Sequence, residues 1–319
     1  MYRILGYDEP YVRCYQHYAF PTGILKAKLR HKEYIYNKFI NIVYLSKEHT
    51  NIEFDLPYFM SVEGLFISGF VMFPSIYHNT KYITDYIKEC IDSHIYVSGM
   101  WDEYYLPPKD AYMKYNFERN YLIYGYNDET EMFYSVGYLG ANIWNKFQIS
   151  YYDFNKSLLI NSNKKHVCFN TYVFNTNFDK KIDVDSIYLD IENYLNSAPF
   201  MKNRNCSFGI CGISDYFNNL GNNSNQNGGN ISLHSLFALY EHKKLMKNRL
   251  LFMNGNKQIC IDNSDTRNME KIVEEYKSII SFAIKHNISK NVSIIEKIRN
   301  KGLNCVDIEE NILNKCFRR

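Results

Sequence analysis

Residues 114–128 read KYNFERNYLIYGYND. The run from Asn120 to Tyr126 clusters apolar and aromatic side chains as a buried strand does, and the Gly-Tyr-Asn-Asp that closes it is turn chemistry. EMFYSVGY (131–138) and NKFQISYYDF (145–154) follow at hairpin spacing. Three strands joined by short turns predict an antiparallel sheet. Upstream, FINIVYLS (39–46), FISGFVMF (66–73) and HIYVSGMW (94–101) are apolar enough for strands, and DEYYLPPKDAY (102–112) is a proline-broken loop. TDYIKECIDS (84–93) has helical spacing, with Tyr86, Ile87 and Cys90 on one face.

YVRCYQHYAF (11–20) has the pattern of a short helix, and Pro21, which lacks an N–H, must kink it or open a second one. Beyond about residue 160 the pattern turns helical: SIYLDIENYLNS (186–197), LHSLFALYEHKKLMKNRLLFM (233–253), MEKIVEEYKSIISFAIKH (269–286) and NVSIIEKIRNK (291–301). NNLGNNSNQNGGN (218–230) has almost nothing to bury and reads as a mobile loop. The expectation is an α+β fold, with an antiparallel-sheet domain over 1–160 and a mainly helical domain over 161–319.

With 46% hydrophobic and 22% charged residues, the chain of 319 can bury a substantial core. Its net charge of +3 is spread without a block of like charges, which argues against a nucleic-acid partner. The opening MYRILGYDEPYVRC has neither a basic n-region nor an apolar h-region, and no apolar stretch is long enough to span a bilayer. A cytoplasmic protein without a membrane partner is expected. Its eight cysteines are then most simply free thiols. The spacings Cys206 to Cys211 and His166-Val-Cys168 make no paired metal motif, so no metal is expected.

Cys14 is the first candidate for chemistry, because a thiol at a helix N-terminus ionises more easily. His17 lies one turn on, near in space but badly aimed to take its proton. The alternative is that Cys14 is a small buried hydrophobe and His17 a packed or surface histidine. Asp102 and Glu103 leave a strand just before Pro107-Pro108. They could bind an ammonium group at a pocket rim with Tyr104 and Tyr105 stacking on it, or be turn residues. His242 sits in a long amphipathic helix whose apolar stripe is Leu239, Leu245, Met246 and Leu250.

The order of these parts resembles the C39-like, papain-fold cysteine superfamily: an early cysteine on a helix, an Asp-containing loop before a strand, then a strand ending in Gly-Tyr-Asn-Asp. Within it the chain is similar to the butirosin biosynthesis protein H-like group, whose second half carries Glu-His-Lys followed by Met and Arg, here Glu241, His242, Lys243, Met246 and Arg249. The resemblance covers most of 8–155 and parts of 205–255. It implies a papain-like domain with a helical extension and no cofactor. It further implies acyl transfer from an acyl or peptidyl carrier-protein thioester, through a cysteine, to a small-molecule amine in a secondary-metabolite pathway.

Carried over residue by residue, the nucleophile falls on Cys14 and the base position on Arg119, followed by Asn120, with Asn116 three residues before it. The third triad position falls near Gly137 and the oxyanion-hole position on Asp8. An arginine cannot act as a base at neutral pH, but facing Cys14 it would favour the thiolate. Arg119 could equally pair with Glu118, Asp102 or Glu103. Acyl transfer, a degenerate fold that binds a carrier protein, peptide or acyl chain without turnover, and a peptidase remain as readings.

Overall fold

The computed structural model describes residues 1–28, 31–45, 51–56, 66–74, 80–139, 143–158, 166–177, 181–199, 206–226 and 228–317. In chain order its first elements are β1 (Tyr2–Ile4), α1 (Gln16–Lys26), α2 (His31–Asn37), β2 (Ile42–Leu45), β3 (Asn51–Phe54), β4 (Phe66–Pro74), α3 (Thr80–Asp92) and β5 (Ile95–Asp102). Then come β6 (Glu118–Asn127), β7 (Met132–Leu139), β8 (Ile143–Ser150), α4 (Tyr151–Leu158), β9 (His166–Phe174) and α5 (Val184–Leu195). The last are β10 (Cys206–Phe208), α6 (Gly209–Asn218), α7 (Leu220–Gln226), α8 (Leu233–Gly255), α9 (Asn263–Ser289) and α10 (Ser293–Phe317). The fold is mixed helix and antiparallel sheet.

The chain forms two compact units, and neither is one continuous segment. The first holds 1–10, 16–29 and 58–179; the second holds 11–15, 30–57 and 180–319. This differs from a division at 160 in two ways. Strand β9 pairs with β4 and β5 and so belongs to the first sheet, while residues 30–57 carry β2 and β3 into the second unit. Hydrophobic pattern alone cannot reveal either exchange, because it says which residues are buried and not against what.

In the first unit the sheet runs β4-β9-β5-β6-β7-β8, with β1 pairing the far end of β6. The opening stretch is the long strand Glu118–Asn127, so Gly125-Tyr126-Asn127 lies within the strand and not in a turn. Gly125 is there for close approach: a Cβ on it would stand 2.7 Å from the Arg3 carbonyl oxygen of β1. On one face Trp101 meets Phe154 of α4 edge-on at 5.1 Å. On the other, Phe20 of α1 meets Trp144 of β8 at 5.6 Å. Helix α1 continues through Pro21, burying Tyr18 to Leu25. The predicted strand 145–154 breaks at Ser150, whose hydroxyl accepts from the Asp153 amide at 3.0 Å and donates to its carboxylate at 2.7 Å. This reciprocal cap starts α4.

The second unit packs helices around the sheet β10-β2-β3. The predicted mobile loop contains α7, in which Asn223 accepts from the Tyr44 hydroxyl at 2.9 Å and Ser224 is buried. Polar residues there serve as internal hydrogen-bond partners, which is why composition misled. Helix α8 buries Leu239, Leu245, Met246 and Leu250 as its stripe predicts, but also Glu241, His242, Lys243 and Arg249. Each charged or polar head has a specific acceptor or donor. His242 Nε2 lies 2.7 Å from the Ile40 carbonyl, and Arg249 donates to the Tyr36 and Lys38 carbonyls at 2.8 and 2.7 Å. Where α10 crosses α6, a Cβ on Gly302 would lie 2.4 Å from the Phe217 ring. Gly302→Ala should therefore destabilise the helical unit by about 1–3 kcal/mol, as overpacking does, measured by urea unfolding followed at 222 nm.

Candidate functional site

Cys14 lies two residues before α1 rather than on it, and the segment 11–15 belongs to the second unit. What holds it there is Glu241 of α8. One carboxylate oxygen accepts from both the Arg13 and Cys14 amides, at 2.9 Å each. The other oxygen stands 3.5 Å from the Arg13 guanidinium. The same carboxylate lies close enough to the Cys14 thiol to act on it electrostatically. His234 stacks on Tyr15 and approaches the Cys14 carbonyl at 3.3 Å.

The electrostatics of Cys14 run against a thiolate. Burial pushes the thiol well above its ordinary value, and the adjacent Glu241 charge pushes it further the same way. Glu241 itself is raised to about 7, because loss of water outweighs the two amides, the thiol and Arg13 that favour its charge. The expected activation by a cation is replaced by a carboxylate. Moreover, the amide of an attacking residue is a natural donor to a developing oxyanion, and here a carboxylate oxygen already occupies it.

Arg119 lies in the first unit, cross-strand from Trp101 and therefore on the face covered by α4. Its guanidinium is 3.7 Å from Glu103 and lies over the Phe117 ring at 5.0 Å. Asn120, the next residue on the strand, points to the opposite face. The register that assigns Arg119 to the base position thus brings Asn120, and not Arg119, to the α1 side of the sheet.

There, α1, β4, β6 and β9 enclose a cleft of about 310 Å³. His17, Phe20 and Pro21 form one wall, and Ser68, Gly69 and Phe70 the strand edge. Asn120, Asn170 and Tyr172 line the floor. Gln16 fixes the helix to the floor by donating to the Asn120 carbonyl at 2.6 Å, and the Tyr172 hydroxyl meets Ser98 Oγ at 3.1 Å. His17 lines the cleft and is exposed as a whole residue, but burial of its ring lowers its pKa to about 4, so the imidazole is neutral at pH 7. Asn120 Oδ1 is buried without a hydrogen-bond partner. The sequence singled out His17 and Asn120 for other reasons. It missed Asn170 and Tyr172, which lie two apart on the polar stretch Asn170-Thr171-Tyr172 of a strand that the sequence does not reveal.

The other expected site residues lie elsewhere. Asp102 is buried and accepts from the Tyr104 and Phe117 amides at 3.0 Å each and from Asn116 Nδ2 at 2.6 Å. It caps the turn and offers no free carboxylate to an ammonium group. Glu103 is buried too, taking the Tyr121 hydroxyl and the Arg119 ion pair. Tyr104 and Tyr105 tilt against one another at 4.8 Å, and Asp8 is exposed with its amide bonded to the Gly23 carbonyl. At the third triad position a Cβ on Gly137 would lie 2.4 Å from Tyr121. Restoring a side chain there by Gly137→Asn should lower, not raise, the stability of the first unit, by at least about 1–3 kcal/mol in urea unfolding followed by tryptophan fluorescence.

Lys109 is buried between the rings of Tyr121 and Phe147, 4.0 Å from each centroid, and donates to the Tyr138 carbonyl at 2.7 Å. Burial lowers it to about 7 despite Glu103 nearby. Among the described residues no group of three His, Cys, Asp or Glu side chains could hold a metal ion, and no helix is long and apolar enough to cross a membrane. No family model and no curated protein matches the chain.

Proposed function

We propose that this protein is a ligand-binding member of the papain-like, C39-like superfamily, similar to the butirosin biosynthesis protein H-like group, in which Cys14 does not turn over. The observation that carries this reading is the place of Glu241, whose carboxylate takes the Cys14 amide and sets a like charge beside a buried thiol. A nucleophile needs a deprotonated sulfur and an open donor for the oxyanion. Cys14 has a protonated sulfur and an occupied donor. Binding then falls to the cleft lined by His17, Asn120 and Tyr172, for a peptide or acyl chain presented by a carrier protein or free.

Native protein treated with iodoacetamide at pH 6–7 should carry label on the exposed Cys168, Cys211 and Cys260 and none on Cys14, read by peptide mass mapping. Acyl-loaded carrier proteins should leave no adduct on the intact chain. Rapid labelling of Cys14, or an acyl adduct lost in Cys14→Ala, would overturn the binding reading.

One observation favours the second reading, cysteine-dependent acyl transfer from a carrier-protein thioester to an amine. Glu241 binds a proton near pH 7 and touches the thiol, so it could serve as the base that Arg119 cannot be. Against it, the proton would move from the weaker acid, a buried thiol raised above 9, to a carboxylate near 7, at about 1.4 kcal/mol for each unit of difference. A peptidase is disfavoured further, because an amide is less activated than a thioester and an arginine, which cannot act as a base, stands at the position expected of its histidine.

A further inference from the structure

Resting on the reading of this cleft as a ligand site, we infer that its ligand is a small uncharged carboxamide carried on an apolar body. Charge is disfavoured first. Among the described residues, the lining side chains of His17, Ser68, Asn120, Asn170 and Tyr172 offer no full charge at pH 7, and the other lining residues are Phe20, Pro21, Gly69 and Phe70. A carboxylate or ammonium entering would give up hydration, and the described lining has no opposite charge to replace it.

The head group is set by Asn120. Its Oδ1 is buried and unpartnered, an unfavourable state that an N–H donor from a ligand would relieve. A side-chain amide can also turn over, presenting Nδ2 in place of Oδ1. A ligand carboxamide carries both a donor and an acceptor and satisfies either orientation. An alcohol has a single donor on the atom that also accepts, where the carboxamide has two donors set apart from its acceptor, and a ketone has no donor at all. Asn170 lies on the same face of the sheet, two strands away through Ser98 and the Met100–Asn120 pair. The cleft thus has a second amide to meet the remaining polar atoms of such a head.

The body is set by the wall. Phe20 and Pro21 on one side and Phe70 on the other frame the head-group site, and Phe70 is 63% exposed, so its ring is free to cover an apolar group. At about 310 Å³ the cleft is at the lower end of ligand pockets, which run about 300–1,000 Å³. One ring or a short branched chain fits that volume.

Three probes of one shape isolate the head group: benzamide, benzoate and benzylamine, titrated into the full chain at pH 7 by ligand-observed NMR and calorimetry. Benzamide should bind saturably, at least about tenfold tighter than either charged probe. Asn120→Leu should weaken it by about tenfold or more. Asn120→Asp, nearly the same shape, should weaken benzamide and bring benzylamine up to or above it. Should benzoate or benzylamine bind the native chain as well as benzamide does, the carboxamide inference is overturned while the cleft stands as a ligand site. Saturation by none of the three overturns the inference and the cleft as a small-ligand site together. Neither outcome bears on the Cys14 labelling test, which decides turnover separately.

Discussion

Replacing Lys243 by Met should remove about 3–5 kcal/mol from the helical unit. Lys243 and Glu309 are both wholly buried, with the ammonium 2.5 Å from one carboxylate oxygen and 3.0 Å from the Tyr194 hydroxyl. Tyr194 donates to the same carboxylate oxygen at 2.8 Å, and the other oxygen has no partner. Without the lysine, a carboxylate in the helical interior keeps one neutral donor. Its remedy is to bind a proton, which costs more as pH rises.

The double variant Lys243→Met, Glu309→Leu should recover most of the loss, because a buried pair replaced by apolar groups is often neutral or better. Ellipticity at 222 nm during urea unfolding reports the helical unit. Tryptophan fluorescence reports the other one, since both tryptophans, Trp101 and Trp144, lie in the first unit. A single variant less than about 1 kcal/mol below the native chain, or a double variant worse than the single, would show that the pair contributes little.

That buried pair also marks where the sequence was legible and where it was not. Strands β4 to β8 of the first sheet are visible because each couples a short apolar run to turn residues, and 118–127 and 132–139 form there for that reason, whereas β1 and β9 are not legible as strands. The stripe of α8 is visible for the same kind of reason. The buried charges are not, because GluHisLysLys in a helix has the composition of a solvated face, and only three-dimensional partners far along the chain make it internal. Lys243 finds Glu309 across 66 residues, and Glu241 finds Cys14 across 227.

The candidate site failed in the same way. Arg119 and Asn120 are neighbours in sequence, and a one-residue difference in a strand decides which of them faces α1. Counting back from a glycine cannot resolve that step when a bulge between Ile123 and Gly125 shifts the register. The order of elements can be read along the chain; the assignment of roles needs the faces of the sheet.

Glu241 gives the second large effect, and it bears on function. Its pKa is raised from about 4.5 to about 7, so between those values the folded chain holds a proton that the unfolded chain has released. Stability contributed by this group is therefore greatest at low pH and falls as pH rises towards 7, by about 1.4 kcal/mol per unit or about 3 kcal/mol in all. Glu241→Gln removes the titration while keeping an oxygen for the Arg13 and Cys14 amides. The stability of the variant relative to the native chain should then increase by about 3 kcal/mol between pH 5 and pH 8, in urea unfolding at 222 nm. A difference that does not change with pH would show that Glu241 is not held protonated.

The same residue separates the two functional readings through its variants. If the carboxylate is a lock on Cys14, Glu241→Ala frees the amide and removes the like charge, so iodoacetamide should label Cys14 faster than in the native chain. If it is a base for acyl transfer, Glu241→Ala should abolish an acyl adduct that the native chain forms. A lock silences a thiol and a base activates one, so the sign of the change in Cys14 reactivity on losing Glu241 distinguishes a binding protein from an enzyme.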